Sequence, residues 1–415
     1  MGFADTVATA ELVRPVDAME RVMYRYGERN PLRFMVCAEF DVVLDEHAVR
    51  FALDHVQRRH PLLQVHVEDR PDGHLDFCRV EEPAPVPLRV ITNSGWQAVA
   101  IEDFVEPIDR SIAPLMRAVL LTNAGRSALI LTFDHTVGDG IATLMALKDV
   151  LAVLNGEALP VLPVPPSQKS MLETAFGPVQ NWSVLTPPEP DARMARPMSV
   201  RRFDGTPTTV HAAEVPAEHT SALVNRCRAE HATVHAAIVT AASRVRSDMR
   251  AEEFVRVMSP INLRDLVRAG GDVAVYLSSA VTGMAPWDGT SFWDQARTLT
   301  AELAIARSVP GVLTSSAGTQ QAMWVGADPS TAEHLFTKVM AFEMLISNLG
   351  VQDLESSGPL RPTALWAPVL ETQIADHVTI GITTYAGVLR MVSVGYDSTQ
   401  EFIEAVARTL VAQSA

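Results

Sequence analysis

Two spacings of apolar residues follow one another along the chain and predict alternating strands and helices. Val36, Ala38 and Phe40 alternate with other residues, which is the period of a β-strand with one buried face. Asp45 is a potential N-cap, and apolar residues recur after it every three to four positions through Arg59, as in an amphipathic helix. This helix is expected to turn four side chains towards the core: Ala48, Phe51, Ala52 and Val56.

Alternating elements of this kind lie on both sides of a proline-rich segment. Prolines are concentrated between Leu159 and Pro207, where few periodic segments are sustained. Such a composition is typical of a linker or a long crossover. We therefore predict an N-terminal unit at residues 1–160, a linker or crossover at 161–207 and a C-terminal unit at 208–415. Each unit is expected to be of the α/β class, built as a two-layer α+β structure.

The composition predicts a globular protein and argues against several classes of partner. Hydrophobic residues make up 47 % of the chain, and the formal net charge of −15 disfavours nucleic acid, whose phosphates need a basic surface. The sequence has neither a basic leader followed by an apolar segment nor an uncharged apolar run of about 18 residues, so a cytoplasmic protein without a membrane span is expected. The three cysteines lie far apart, and Ala232 follows His231 where a zinc metalloprotease motif needs glutamate, so no metal site is predicted.

One short segment departs from the acidic character of the chain. Arg193, Arg196, Arg201 and Arg202 fall within ten residues that contain no acid. Such a cluster is either a solvated basic loop or a docking surface for an acidic partner. The sequence leaves both interpretations open.

The segment with the strongest chemical signal is Leu-Thr-Phe-Asp-His-Thr-Val-Gly-Asp-Gly, residues 131–140. It ends an apolar strand, places three residues between His135 and the pair Asp139-Gly140, and leads into an amphipathic helix. A neutral imidazole is a competent proton acceptor near neutral pH, and the positive end of the helix would favour the neutral form. Gly138 and Gly140 permit unusual backbone angles and close approach, and free amides there could hold an oxyanion. Taken alone, the pattern also fits a histidine in a turn.

The HxxxDG pattern, an apolar strand before it and a helix after it, resembles the motif of the condensation-domain and chloramphenicol-acetyltransferase-like superfamily. Four further segments are similar to segments of that superfamily in the same order: residues 58–62 (Arg-Arg-His-Pro-Leu), 231–242 (alanine-rich), 259–264 (Ser-Pro-Ile-Asn-Leu-Arg) and 347–350 (Ser-Asn-Leu-Gly). The length of the chain and the Ser-Asn-Leu-Gly form are similar to the stand-alone polyketide-associated acyltransferases of the phthiocerol dimycocerosyl transferase type.

The resemblance implies two chloramphenicol-acetyltransferase-like lobes that form a V-shaped pseudo-dimer around a central tunnel. It implies that His135 removes the proton from an acceptor hydroxyl or amine without an acyl-enzyme, and that Asp139 is structural and pairs with Arg264. Ser347 and Asn348 would bind the acyl thioester or its phosphopantetheine arm. The implied acyl donor is a thioester of an acyl carrier protein or of coenzyme A. The implied acceptor is an alcohol or an amine, with the alcohol favoured. The protein is expected to be a monomer without a bound cofactor.

The chain departs from the family pattern at Asp134, where the commonest form of the motif has a second histidine. Two roles stay open for this residue, which we include among the candidate substrate-binding residues. A carboxylate that points inward would raise the pKa of His135, whereas one that points outward would cap the strand. The outward position is favoured.

Three functions are compatible with these features. The first is an acyltransferase that moves an acyl group from a thioester to an alcohol or amine in polyketide, lipid or nonribosomal peptide biosynthesis. The second is a non-catalytic module of the same fold that binds a carrier protein, although such a module has no need of His135. The third uses the same base for dehydration, epimerisation or cyclisation of a thioester-bound intermediate. Acyl chain length and the identity of the acceptor are not readable from the sequence.

Overall fold

The computed structural model describes residues 11–186, 191–354 and 357–414. Parts of the predicted units therefore lie outside the described residues, namely 1–10, 187–190, 355–356 and 415. The described residues form fourteen strands: β1 (Glu11–Pro15), β2 (Arg33–Phe40), β3 (Val65–Asp69), β4 (Leu75–Arg79), β5 (Leu88–Thr92), β6 (Met116–Asn123), β7 (Arg126–Asp134), β8 (Thr209–Val215), β9 (Val255–Asn262), β10 (Leu277–Met284), β11 (Met344–Gln352), β12 (Ala364–Leu370), β13 (Val378–Tyr385) and β14 (Val388–Gly395).

Twelve α-helices accompany these strands in the same part of the chain: α1 (Ala18–Gly27), α2 (Glu46–Arg59), α3 (Trp96–Val105), α4 (Gly140–Leu154), α5 (Gln168–Phe176), α6 (Ala217–Ala229), α7 (Val234–Arg250), α8 (Arg264–Val267), α9 (Phe292–Arg307), α10 (Val309–Ala322), α11 (Pro329–His334) and α12 (Gln400–Gln413). A π-helical turn, Leu335–Val339, follows α11 directly. None of the helices in the described ranges is long and apolar enough to cross a membrane.

The strands form two large sheets and one small one. The five-stranded sheet has the order β12-β2-β7-β6-β5, the six-stranded sheet has the order β10-β9-β11-β13-β14-β8, and β1, β4 and β3 form a three-stranded sheet. β12 comes from the C-terminal half of the chain but pairs antiparallel with β2, where Leu365 lies opposite Ala38. The C-terminal part of the chain thus completes the sheet that carries β7, at whose end the HxxxDG segment begins.

The predicted helix after Asp45 is present as α2, but two of the four side chains predicted to be buried are not. Asp45 caps α2 by accepting a hydrogen bond from the Ala48 amide at 2.8 Å, and Ala52 and Val56 are buried as predicted. The prediction was wrong for Ala48 and Phe51, because the buried stripe runs through Val49 and Leu53 instead and leaves Phe51 58 % exposed.

Strand β2 is buried on both faces rather than on one. Val36 packs into the core that also contains α2 and α4, whereas Cys37 packs with α3 and with Val392 and Val394 of the six-stranded sheet. Side chains of both large sheets meet in this second core, so the sequence period of two does not separate a buried from an exposed face here.

The proline-rich segment contains more order than its composition suggested. It contains α5, which Ser167 caps and whose Leu172 is fully buried. The carboxylate of Asp17, the N-cap of α1, accepts a hydrogen bond from the Lys169 amide at 2.7 Å. The buried guanidinium of Arg256 donates to the Met194 carbonyl at 3.0 Å. The segment is therefore held against elements from both halves of the chain.

Candidate active site

The HxxxDG segment is fixed at both of its ends by backbone and capping hydrogen bonds. The His135 amide donates to the Leu32 carbonyl at 3.1 Å, which continues the pairing of β7 with β2 by one residue. Asp139 caps α4 by accepting from the Ala142 amide at 2.9 Å. The His135 ring lies between these points, 4.6 Å from the Phe34 ring centroid, and is 8 % exposed. The imidazole is thus buried and positioned by a strand end and a helix start.

His135 and Gly140 line the same cavity. Strands of both large sheets, helices α1 and α10 and the π-helical turn form its walls. Five lining residues carry hydroxyl groups on aliphatic side chains: Ser279, Ser315, Thr319, Ser347 and Thr372. The cavity therefore brings together N-terminal and C-terminal residues around one histidine.

Burial lowers the pKa of His135 below the ordinary histidine value, and the charge of Asp139 offsets part of that effect. Backbone groups of His135 and Gly138 that interact with the ring offset a further part of it. The neutral imidazole, which lines the cavity, can accept a proton from a group placed there.

Asp139 is held by protein groups on both of its carboxylate oxygens. Arg264 Nη1 lies 2.9 Å from Oδ1 and 2.8 Å from Oδ2, and both side chains are buried. Oδ2 also accepts from the Tyr276 amide at 2.8 Å, while Arg264 Nη2 donates to the Ala274 carbonyl at the same distance. These contacts attach the loop before β10 to the start of α4. A carboxylate saturated in this way shapes the site and is poorly placed to exchange protons with a substrate.

A second histidine supports the same loop. His60 Nε2 lies 2.7 Å from the carboxylate of Asp149 on α4, and its Nδ1 accepts from the Val273 amide at 3.4 Å. His60 is 1 % exposed and does not line the cavity. It ties the end of α2 to α4 and to the loop that holds Asp139.

The glycines of the motif provide close approach but no unusual backbone angle. Neither Gly138 nor Gly140 has a positive φ, so the expectation of unusual angles was wrong. A Cβ on Gly140 would lie 2.8 Å from Leu349 Cδ2. Gly140 is therefore the point at which the HxxxDG segment contacts the Ser-Asn-Leu-Gly segment of β11.

The remaining predicted substrate-binding residues lie in different surroundings. Ser347 lines the cavity. Asn348 does not; its Oδ1 accepts from the Gly350 amide at 2.8 Å in a local turn. Asp134 also lies outside the lining: it is buried, and its Oδ1 accepts from the amide and the hydroxyl of Thr136 at 3.0 and 2.5 Å. The carboxylate thus closes the turn at the end of β7.

The four arginines of the basic segment are mostly paired with acids. Arg193 contacts Asp191, and Arg196 lies 2.8 Å from the carboxylate of Glu343. Arg201 lies 4.0 Å from the carboxylate of Asp204 and over the Tyr396 ring, with 3.5 Å between the guanidinium carbon and the ring centroid. Arg202 is exposed and belongs to none of these contacts. The positive charge at residues 193–202 is smaller than the sequence of this segment alone indicates, because the acids that pair with its arginines lie outside the segment.

Several lining residues had no signal in the sequence. Ser315 and Thr319 lie on α10, a helix that the sequence did not predict because Pro310 and Gly311 stand near its start. The hydroxyl of Ser278 donates to that of Ser315 at 2.9 Å and so joins β10 to α10. Only the tertiary fold brings this helix to the cavity.

Comparison with known proteins places this geometry within a class of fold. No family model matches the chain. Part of the chain is 34 % identical over 131 residues to phosphinothricin tripeptide synthetase PhsC from Streptomyces viridochromogenes, which covers 28 % of this chain and 12 % of that protein. The chain thus spans a small part of the length of this curated relative.

Two solved structures are similar over nearly the whole chain. Polyketide synthase associated protein 5 from Mycobacterium tuberculosis has a TM-score of 0.66 at 16 % identity and covers 98 % of both chains. The condensation domain of the Monacolin K polyketide synthase MokA has a TM-score of 0.68 at 12 % identity and covers 98 % of this chain and 97 % of that chain.

The chain therefore has the mixed α/β, two-lobed fold of the condensation domains. The predicted fold class is confirmed, and the resemblance to condensation domains and to a polyketide synthase associated protein is confirmed at the level of the fold.

Proposed function

We propose that this protein is an acyltransferase that moves an acyl group from a phosphopantetheine thioester to an alcohol or amine, with His135 as the general base. The observation that carries the proposal is the position of His135: a buried imidazole of lowered pKa on the wall of a cavity that both halves of the chain line. Proton removal by a positioned base contributes roughly 10² to 10⁴ to a rate.

The proposed reaction needs no covalent enzyme intermediate. His135 takes the proton from the acceptor hydroxyl or amine as the oxygen or nitrogen attacks the thioester carbonyl carbon. The resulting tetrahedral oxyanion collapses, the carbon–sulfur bond breaks, and the imidazolium returns the proton to the leaving thiolate. The Ala142 amide already donates its hydrogen bond to Asp139 and is not free to bind the oxyanion. The candidate donor is therefore the amide of Gly140, the first residue of α4, which lines the cavity.

We further propose that the donor is carried on phosphopantetheine, as a carrier-protein or coenzyme A thioester, in natural product biosynthesis. The similarity to a condensation domain of a polyketide synthase and to part of a peptide synthetase supports this donor class. Ser347 is the candidate contact to the thioester, because it lines the cavity and follows in β11 after Leu345, another lining residue.

Product analysis tests the function directly. Purified protein is incubated with a panel of acyl-coenzyme A and acyl-carrier thioesters, each combined with linear alcohols and amines, and products are identified by mass spectrometry. We expect an ester or an amide together with an equal amount of free thiol, and we expect a higher yield of esters than of amides. If the products are instead dehydrated, epimerised or cyclised and no acyl group has passed to the acceptor, the third function replaces the proposed one. Absence of any product with retained carrier binding would favour the non-catalytic module.

A further inference from the structure

The lining of the cavity contains no carboxylate, ammonium or guanidinium group among the described residues, and the pKa of its histidine, His135, is lowered towards the neutral form. Tyr26 is the other titratable lining residue; burial raises the pKa of its hydroxyl, which donates a hydrogen bond to the Thr372 carbonyl at 2.5 Å. Because an unpaired charge is costly to bury, the cavity disfavours a substrate group that carries an ammonium or a carboxylate.

One side of the cavity is formed by large flexible apolar side chains. Helix α1 contributes Met19 and Met23, and the segment that includes the π-helical turn contributes Leu335, Phe336 and Met340. Methionine adapts its shape to irregular apolar surfaces. The part of the lining on β10 and α10 contains Ser279, Ser315 and Thr319 instead. The methionine-rich part is suited to bind methylene groups.

The π-helical turn forms part of that wall. The Met340 amide donates to the Leu335 carbonyl at 2.8 Å, which gives the wide turn, and the Phe336 ring packs edge-on against Tyr26 at 4.8 Å between centroids. Phe336 and Met340 are half-buried and line the cavity, whereas Val339 is 64 % exposed on the outside. Insertions of this kind in helices frequently occur at functional sites.

We propose that this cavity binds an uncharged aliphatic chain of the substrate and that Phe336 and Met340 set the longest chain that fits. The inference rests on the proposed function in one respect: the bound chain is taken to be part of a substrate of acyl transfer. The chain could belong to the donor acyl group or to the acceptor alcohol, which share this chemistry. In either case the site selects against aminoacyl groups with a free ammonium.

Binding measurements test the proposal without turnover. Isothermal titration calorimetry with non-hydrolysable S-alkyl pantetheines and, separately, with linear 1-alkanols gives the affinity as a function of chain length. We expect affinity to rise about fourfold for each methylene until a limiting length is reached. The series that shows this limit identifies the source of the chain. An analogue with a terminal ammonium is expected to bind at least about tenfold more weakly than its methyl counterpart.

Substitutions at the wall locate the limit. Met340→Ala is expected to move the limiting length to longer chains and Met340→Trp to shorter ones, while Val339→Ala on the outer surface leaves it unchanged. A limit that stays fixed in both Met340 variants, an affinity independent of length in both series, or equal binding of the ammonium analogue would overturn the proposal. Length-limited binding in a protein that forms no ester or amide would instead contradict the proposed function alone.

Discussion

Arg264 Nη1 lies 2.9 and 2.8 Å from the two carboxylate oxygens of Asp139, and the side chains are 4 % and 5 % exposed. The two residues are 125 positions apart, and their pairing joins the start of α4 to the loop before β10. Removal of one partner leaves the other as an unpaired buried charge. The free-energy cost of that charge is far larger than the net stabilisation that the intact ion pair provides. Asp139 and Arg264 therefore matter for the shape of the site before any chemistry begins.

Substitution of either partner should destabilise the fold. We expect Asp139→Asn or Arg264→Gln to lower the free energy of unfolding by about 3–5 kcal/mol, measured by urea denaturation. The exposed pair of Arg58 with Asp54 serves as the control, because Arg58→Gln should cost under about 1 kcal/mol. Equal small losses in all three variants would show that the buried pair has no structural role.

The pH dependence of the rate should report the lowered pKa of His135. A general base must be neutral, so kcat/KM should rise with pH and level off above the pKa of the free enzyme. Because burial lowers that pKa, the midpoint of the acid limb should lie below the ordinary histidine value of about 6.5. Rates of acyl transfer from a fixed thioester between pH 4.5 and 8 give this midpoint. A midpoint above the ordinary value would contradict the burial-dominated environment.

The contact between Gly140 and Leu349 should appear as a rescue effect. A methyl group on Gly140 would meet Leu349 Cδ2 at 2.8 Å, so Gly140→Ala should displace the start of α4 and reduce acyl transfer roughly ten- to hundredfold. Leu349→Ala in the same protein should restore most of that loss, because it removes the obstructing atoms. Gly271→Ala is the matched control, since no atom lies within 4 Å of its added Cβ. Failure of the double variant to recover would show that the glycine is needed for another reason.

Carrier docking on the basic segment is best examined at Arg202. Arg193 and Arg196 are paired with acids and Arg201 packs on Tyr396, so reversing their charges would also disturb the fold. If the segment docks an acidic carrier, Arg202→Glu should raise the Michaelis constant for a carrier-bound donor and leave that for the coenzyme A thioester unchanged, most clearly at low salt. Arg126→Glu, at an exposed site on β7, is the control. An unchanged Michaelis constant would remove the docking role.

The local parts of the site could be predicted from the sequence, and the long-range parts could not. The strand, the turn at His135 and the helix after it follow from the spacing of residues that are close together in the sequence. The pairing of Leu365 with Ala38 depends on a crossing of the chain between sheets, which no local period encodes. The sequence favoured an outward Asp134 carboxylate, but its partners could not be predicted, because they depend on the turn that places the Thr136 amide and hydroxyl beside it.

The family resemblance suggested Arg264 as the partner of Asp139, whereas the arrangement of hydroxyl and apolar walls became visible only with the fold. Ser315 on α10 lines the cavity, whereas its neighbour Ser316 on the same helix faces Gln168. A residue's side of a helix cannot be assigned when the helix itself is not predicted.

The central claim is that His135 is the general base, and the rate of acyl transfer in His135→Ala tests it most directly. The rate is measured under single-turnover conditions with a thioester and acceptor that the wild-type protein converts, beside His55→Gln on α2 as a histidine outside the cavity. We predict a loss of roughly 10² to 10⁴ in His135→Ala with an unchanged free energy of unfolding, and a wild-type rate in His55→Gln. Full activity in His135→Ala would contradict the account.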